Sequence, residues 1–145
     1  MSQAGLLDVA DVLGIGADEK KPVTPLRMVS ILEEGLPVKS LERVSGFVAP
    51  SDTSFKHRIV PRATLNRRKL GERLTTEESN RVERVARVWA LAVEVWKSAE
   101  NARAFLWREH PLLDLRRPID IVMANDFGAK LVEDILGRLK HGTAA

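Results

Sequence analysis

One uninterrupted amphipathic stretch, from Thr75 to Lys97, constrains the fold of this chain more than any other part of its sequence. It contains neither Pro nor Gly, and Thr75 with Glu78 three positions later has the form of a helix-capping box. Apolar residues recur along it at offsets of three and four, and a second apolar strip that begins at Val88 lies beside the first. The pattern therefore predicts one long helix that joins two packed units.

The composition is that of an ordinary globular protein, with 44% hydrophobic and 30% charged residues among 145. The absence of cysteine excludes disulfides and thiolate metal sites. Arg87 and Glu94 interrupt the longest apolar run, and the first residues lack a basic-then-apolar leader, so we expect a cytoplasmic protein. Because 23 Lys and Arg stand against 20 Asp and Glu, the placement of the charges is more informative than their sum.

Proline and glycine divide residues 23–74 into short predicted helices, which follow a short helix and a polar linker in residues 1–22. Thr24 is expected to cap the first of these helices, and Gly35 is expected to end it. The apolar side of this helix is predicted to consist of Leu26, Val29 and Leu32.

Three more helices are predicted before the long one. The first lies between Pro37 and Pro50, and the next is short and capped by Ser51. Pro61 then opens a helix that extends through the segment PRATLNRRKLGERL. Two short helices across a tight turn are typical of a helix-turn-helix.

The last of these helices is strongly basic, since the chain from Lys56 to Arg73 has seven Lys or Arg and one acid, Glu72. Phosphate groups are the natural partner of such a surface. In a helix-turn-helix the second helix reads base edges, and neighbouring cations contact the DNA backbone. This assigns base reading to Arg62, Thr64, Asn66 and Arg67, and phosphate contacts to Lys56, Arg68, Lys69 and Arg73. A solvated basic face, or a patch that meets an acidic protein, is the alternative.

The chain after the long helix is predicted to form a compact helical segment with its own core. Ser98 is expected to cap one helix, Pro118 to open another, and Asn125 to cap the last, which stops at Gly142. The apolar arc of the last helix is predicted to hold Leu131, Val132, Ile135, Leu136 and Leu139.

Gly137 is unexpected on the polar side of the last helix, because alanine would be more favourable there by about 1 kcal/mol. A glycine on an exposed helix face lets another backbone approach closely. The surface around Glu133, Gly137 and His141 is therefore a candidate contact site. The alternative is that the helix frays or bends at Gly137.

The residues that enzyme chemistry needs are not arranged for it. His57, His110 and His141 are far apart in sequence and have no metal-type spacing. The acidic pairs are adjacent on predicted helices, so their side chains point about 100° apart, and no serine lies in a nucleophile elbow. We therefore expect no enzyme activity, no metal and no cofactor.

Two segments of the chain resemble the Xre/MbcA/ParS-type antitoxins of bacterial type II toxin-antitoxin pairs. They are PRATLNRRKLGERLTTEESNRVERVARVWALAVEVW and RRPIDIVMANDFGAKLVEDILGRLKHG, and the likeness extends from about Leu6 to Gly142. Its most specific parts are the P-R-x-T-L-x-R-R-K segment, the L-T-x-E-E-S helix start, R-R-P-x-D, and the closing G-A-x-x-V-E-D-x-L-G-R-x-x-H-G.

The resemblance implies an all-α protein of two parts. An Xre-like helix-turn-helix region at residues 23–74 would bind operator DNA, form a homodimer and act as a transcription repressor of its own operon. The long central helix and a small helical toxin-binding domain, residues 75–145, would bind a RES-domain toxin. Such a toxin consumes NAD or transfers ADP-ribose from it, and the antitoxin blocks its active site. The alternative is a helix-turn-helix regulator with a C-terminal dimerisation domain and no toxin partner.

The resemblance also assigns residues by motif. The DNA-facing ones are Arg62, Thr64, Leu65, Arg67, Arg68 and Lys69. The toxin-facing or domain-shaping ones are Arg116, Arg117, Pro118, Gly128, Ala129, Glu133, Gly137, Arg138, His141 and Gly142. The chain departs from the family pattern in three places: Asp114 and Leu115 stand where a glycine pair is usual, Phe127 stands where a small acidic turn is common, and the GTAA tail lacks a bulky apolar residue.

Overall fold

The computed structural model of this protein describes residues 9–16, 22–68 and 71–142. Within these ranges every regular element is helical, and the strand-like pairs are two isolated bridges. The prediction of an all-α fold is confirmed. The helices are α1 (residues 9–13), α2 (Pro25–Glu34), α3 (Val38–Val48), α4 (Arg62–Asn66), α5 (Thr76–Trp96), α6 (Ala99–Trp107), α7 (Pro118–Ala124) and α8 (Asp126–Lys140), with 3₁₀ helices at Phe55–Arg58 and Pro111–Leu113.

The predicted long helix is present as α5, which has 21 residues. Its capping box is formed: the Glu78 N–H donates to Thr75 Oγ1 (3.1 Å), and the Thr75 N–H donates to Glu78 Oε1 (2.9 Å). Lys97 lies just beyond the helix, with a backbone φ of 67°. The chain divides into two compact units within α5, residues 1–86 and residues 87–145. The sequence places the domain boundary earlier, between residues 74 and 75, where the helix is capped.

The core of the first unit is built from α2, α3, the first 3₁₀ helix and the N-terminal half of α5. Thr24 caps α2 as predicted, since its Oγ1 accepts a hydrogen bond from the Arg27 N–H (3.1 Å). Gly35 ends the helix. The most deeply buried side chains are those of Leu36, Leu41, Val44, Val48, Phe55, Ile59, Val60 and Val82.

The prediction that Ser51 caps the next turn is wrong. The residue at the N-cap position is Ser54, which makes no side-chain capping bond. Asp52 Oδ1 stabilises the turn before it, because it accepts hydrogen bonds from both the N–H (2.9 Å) and the Oγ–H (2.6 Å) of Ser54. A carboxylate is a stronger acceptor than a hydroxyl, and the bond from Ser54 Oγ holds the pKa of Asp52 below its ordinary value. The turn that follows is the short 3₁₀ helix Phe55–Arg58.

The predicted apolar side of α2 does not match its burial. Met28 and Ile31 are buried, whereas the side chains of Leu26 and Val29 are 76% and 50% exposed. The helix carries two apolar stripes with the same spacing, so periodicity alone cannot choose which of them faces the core. The connection to α5 fixes the choice, because Thr76 Oγ1 donates a hydrogen bond to the Glu33 carbonyl (2.9 Å).

The second unit is a small bundle in which α7 packs against both α6 and α8. Ser98 caps α6 and Asn125 caps α8, as predicted, by accepting hydrogen bonds from the N–H groups of Asn101 and Gly128 (3.0 Å and 2.9 Å). In the apolar arc of α8, Val132, Ile135 and Leu136 are buried as expected, but the Leu131 side chain is 42% exposed. The interior is completed by Ala102, Leu106, Ile119, Val122 and Ala129.

Candidate functional site

The basic segment of the first unit forms a much shorter helix than its sequence predicts. Helix α4 ends at Asn66, where the chain enters a turn in which the Arg67 N–H donates to the Thr64 carbonyl (3.3 Å). Gly71 then has a φ of +88°, which is incompatible with a continuing helix. The predicted helix through PRATLNRRKLGERL is therefore wrong in its length. Lys69 lies outside the described residues.

A surface groove of about 660 Å³ lies beside α4. Its walls come from the start of α3, from the first 3₁₀ helix and from α4 itself. Several predicted DNA-binding residues line it, together with other polar ones: Lys39, Lys56, His57, Arg62, Asn66 and Arg68. The groove is thus open to solvent on the face that carries the cationic segment.

The predicted base readers remain accessible to a ligand. Arg62, Asn66 and Arg67 are exposed, and Thr64 and Leu65 are partly exposed. The short helix therefore presents the first part of the recognition segment to solvent, as a base-reading role requires.

The predicted phosphate-contacting residues are held more tightly by the chain itself. Lys56 Nζ lies 3.0 Å from Glu42 Oε2 in an ion pair. Arg73 Nη1 donates a hydrogen bond to the Gly35 carbonyl (2.9 Å). Both residues keep part of their surface exposed, so DNA contacts by Lys56 and Arg73 stay a prediction.

Arg68 has an evident structural role. Its Nη2 lies 2.8 Å from Glu78 Oε1, and the two side chains are only 15% and 9% exposed. Burial alone would raise the pKa of Glu78, but the hydrogen bond from the Thr75 N–H and the Arg68 guanidinium outweigh it and hold that pKa below its ordinary value. Arg68 thus ties the turn after α4 to the capped start of α5.

In the second unit, the exposed basic residues of the predicted partner-binding set lie near the start of α7 and the end of α8. Arg116 and Arg117 are exposed at the end of the loop that joins α6 to α7, and the Arg117 guanidinium lies 6.0 Å from the centre of the Trp107 ring. Arg138 and His141 are exposed at the C-terminal end of α8. These four residues are available for contact with a partner, as is Gly142.

Three residues assigned to the partner-binding set are buried in the free chain, so the domain-shaping alternative fits them and direct contact does not. Pro118, Gly128 and Ala129 lie inside the second unit. A Cβ on Gly128 would lie only 2.0 Å from the Ile121 carbonyl oxygen, so this glycine permits the close approach of α8 to α7. These three residues therefore contribute to the packing of the second unit.

The polar side of α8 is partly used within the second unit. Glu133 Oε2 lies 2.8 Å from Arg87 Nε of α5, and Lys140 forms an ion pair with Glu94 of the same helix. Sequence separations of 46 residues leave no local signal for such pairs, and the sequence patterns did not predict them. Gly137 lies about one turn from each of these charged residues on α8.

Gly137 does not mark a frayed helix end, because α8 continues to Lys140. A Cβ added at Gly137 would have no neighbouring atom within 4 Å. Nothing within the described part of the chain therefore requires glycine at this position.

Among the residues that the structure describes, no group of three or more His, Cys, Asp or Glu side chains is placed to hold a metal ion. In the same ranges, no helix is long and apolar enough to cross a bilayer.

Comparison with known proteins identifies two families in tandem. Residues 27–87 match the antitoxin Xre-like helix-turn-helix domain, and residues 91–142 match the antitoxin Xre/MbcA/ParS C-terminal toxin-binding domain. The protein described as Antitoxin Xre from Yersinia enterocolitica is 35% identical over 85 residues, and this match spans 57% of each chain. Neither matched family is a family of enzymes, in agreement with the sequence analysis. The chain belongs to the Xre/MbcA/ParS-type antitoxins.

Proposed function

We propose that this protein is the antitoxin of a type II toxin-antitoxin pair. Its second unit would cover the active site of a RES-domain toxin that consumes NAD or transfers ADP-ribose, and its first unit would bind operator DNA and repress the operon. The observation that carries this proposal is the tandem of a helix-turn-helix family and a toxin-binding family in one chain. Co-expression with the protein encoded beside it tests the proposal. Failure to bind or neutralise that protein would leave a helix-turn-helix regulator without a toxin partner as the remaining explanation.

The DNA half of the proposal predicts that Arg67→Ala weakens binding to the DNA upstream of the chain's own gene by about 10- to 100-fold. Arg67 is exposed just after α4, where it can reach a base edge. Random DNA of equal length should lose much less affinity. Lys69→Ala, in contrast, should lower the affinity for all sequences and reduce the slope of log affinity against log salt by about 1.

Fluorescence anisotropy at several salt concentrations measures both effects. Arg108→Ala, which removes an exposed arginine from the second unit, is the control and should leave DNA affinity unchanged. Equal losses on operator and random DNA for Arg67→Ala would contradict base reading by this residue.

A homodimer is part of this proposal, and the exposed face of α2 supports it. Leu26 and Val29 form an apolar patch there. Arg27 Nη1 already lies 3.8 Å from Glu34 Oε2 in the same helix, so the apolar patch, and not charge, supports the contact. A second copy of α2 packed across a two-fold axis would cover this patch on both chains. Sedimentation of the purified chain should then give twice its mass of 16.2 kDa.

The toxin half of the proposal predicts that Gly137→Trp weakens toxin binding, with a loss on the order of 100-fold, and leaves the fold intact. A Cβ at Gly137 meets no atom within 4 Å in the free protein, so a larger side chain begins in open space and would obstruct a partner that approaches this face. Gly46 in α3 is a matched control, because it is also a helical glycine, and a Cβ added there would have no atom within 4 Å. Gly46→Trp should bind toxin normally in calorimetric titrations. Full binding by Gly137→Trp would remove this surface from the interface.

A further inference from the structure

The loop between α6 and α7, residues 110–116, is fixed by its own hydrogen bonds. The His110 N–H donates to the Arg116 carbonyl (3.1 Å), and the Leu115 N–H donates to the His110 carbonyl (3.0 Å). The His110 Nδ1 accepts from the Leu112 N–H (3.1 Å). The loop is therefore held in one conformation before any partner is present.

Two consecutive residues of this loop have left-handed backbone conformations, with φ of 53° at Asp114 and 64° at Leu115. Aspartate enters this region at modest cost, but a leucine there is strained. The chain thus keeps a backbone suited to glycine and places a large apolar side chain on it.

The strain at Leu115 is not offset by burial. The Leu115 side chain is 62% exposed and that of Leu112 is 51% exposed, whereas Leu113 between them is buried and anchors the loop. Folding alone would therefore favour glycine at position 115. Residues held in unfavourable backbone conformations are concentrated at functional sites, where a binding role compensates for the strain.

We propose that Leu115, together with Leu112, inserts into an apolar recess on the toxin and thereby sets which toxin this antitoxin recognises. This inference rests on the proposed function. The adjacent Arg116 and Arg117 are also exposed, so the recess should be bordered by carboxylates on the partner. The contact is one of protein with protein, because an exposed leucine pair offers nothing to a phosphate backbone.

The test compares Leu115→Gly with Asp114→Gly in the full chain. Leu115→Gly removes the strain of a left-handed leucine and should raise the melting temperature by a few degrees, whereas Asp114→Gly should change it little, because aspartate already accepts this conformation and glycine gives the unfolded chain more freedom. Only Leu115→Gly should weaken binding to the purified toxin encoded beside the chain, by about 10- to 100-fold, the loss expected for one buried leucine. Stability and affinity would then change in opposite directions for one residue.

Leu115→Asn separates the side chain from loop rigidity, since asparagine adopts the left-handed conformation readily and lacks the apolar group. It should lose affinity as Leu115→Gly does. If the parent chain binds the toxin and either Leu115 variant binds it equally well, the inference is overturned. An equal loss of toxin affinity for Asp114→Gly would also overturn it. A parent chain that binds no toxin would refute the proposed function itself, and this inference with it.

Discussion

Gly128→Ala is expected to destabilise the second unit by about 3 kcal/mol. The new methyl group would lie 2.0 Å from the Ile121 carbonyl oxygen, which is a backbone atom and can move only if α7 moves with it. The toxin-binding family matches residues 91–142, so toxin binding should be lost under conditions in which this unit is unfolded. Tryptophan fluorescence during urea denaturation measures the effect selectively, because Trp89, Trp96 and Trp107 all lie in residues 87–145.

Gly137→Ala supplies the matched control in the same helix. Its methyl group would meet no atom, and alanine is favoured over glycine within a helix, so this variant should be more stable by about 1 kcal/mol. If Gly128→Ala proved as stable as the parent chain, the close approach of α7 and α8 would not be the reason for glycine at position 128.

Arg68→Met is expected to destabilise the first unit by about 3 kcal/mol, because it leaves the Glu78 carboxylate nearly buried without its cation. Hydrogen exchange measured by mass spectrometry should show faster exchange at the start of α5 and in α2. The double variant Arg68→Met with Glu78→Gln removes both charges and retains an acceptor for the capping box, so it should recover much of the loss. A loss from Arg68→Met below about 0.5 kcal/mol, the usual size of a surface effect, would contradict the structural role.

The pH dependence of stability provides a second readout of the same pair. Because the pKa of Glu78 in the folded chain is below its ordinary value of 4.5, the carboxylate contributes stability that is complete above that value. This contribution is lost as the pH falls through the lower, folded-state pKa. Glu78→Gln should therefore lack this part of the acid destabilisation, and Arg68→Met should show less of it than the parent chain.

The sequence predicted those parts of the fold that depend on neighbouring residues. Thr24, Ser98 and Asn125 cap their helices as expected, and the box of Thr75 and Glu78 starts the long helix. Each cap joins residues three positions apart, so its signal is present in a short window of sequence.

Predictions that depended on distant residues were less accurate. The basic segment has helical spacing, yet α4 stops at Asn66 while Arg68 pairs with Glu78. The motif around Gly128 predicted an important residue, but the sequence could not distinguish a residue that shapes the domain from one that contacts a partner. The backbone strain at the exposed Leu115 depends on its φ angle, which a pattern of residue types does not reveal.

The two ion pairs between α5 and α8 constrain the length of the chain as well as its residue types. One residue inserted or deleted between Arg87 and Glu94 would turn Glu94 by about 100° about the helix axis relative to Arg87. Glu133 and Lys140 keep a fixed spacing on α8, so the two pairs could then no longer form together. This half of α5 is therefore expected to accept substitutions but not changes in length.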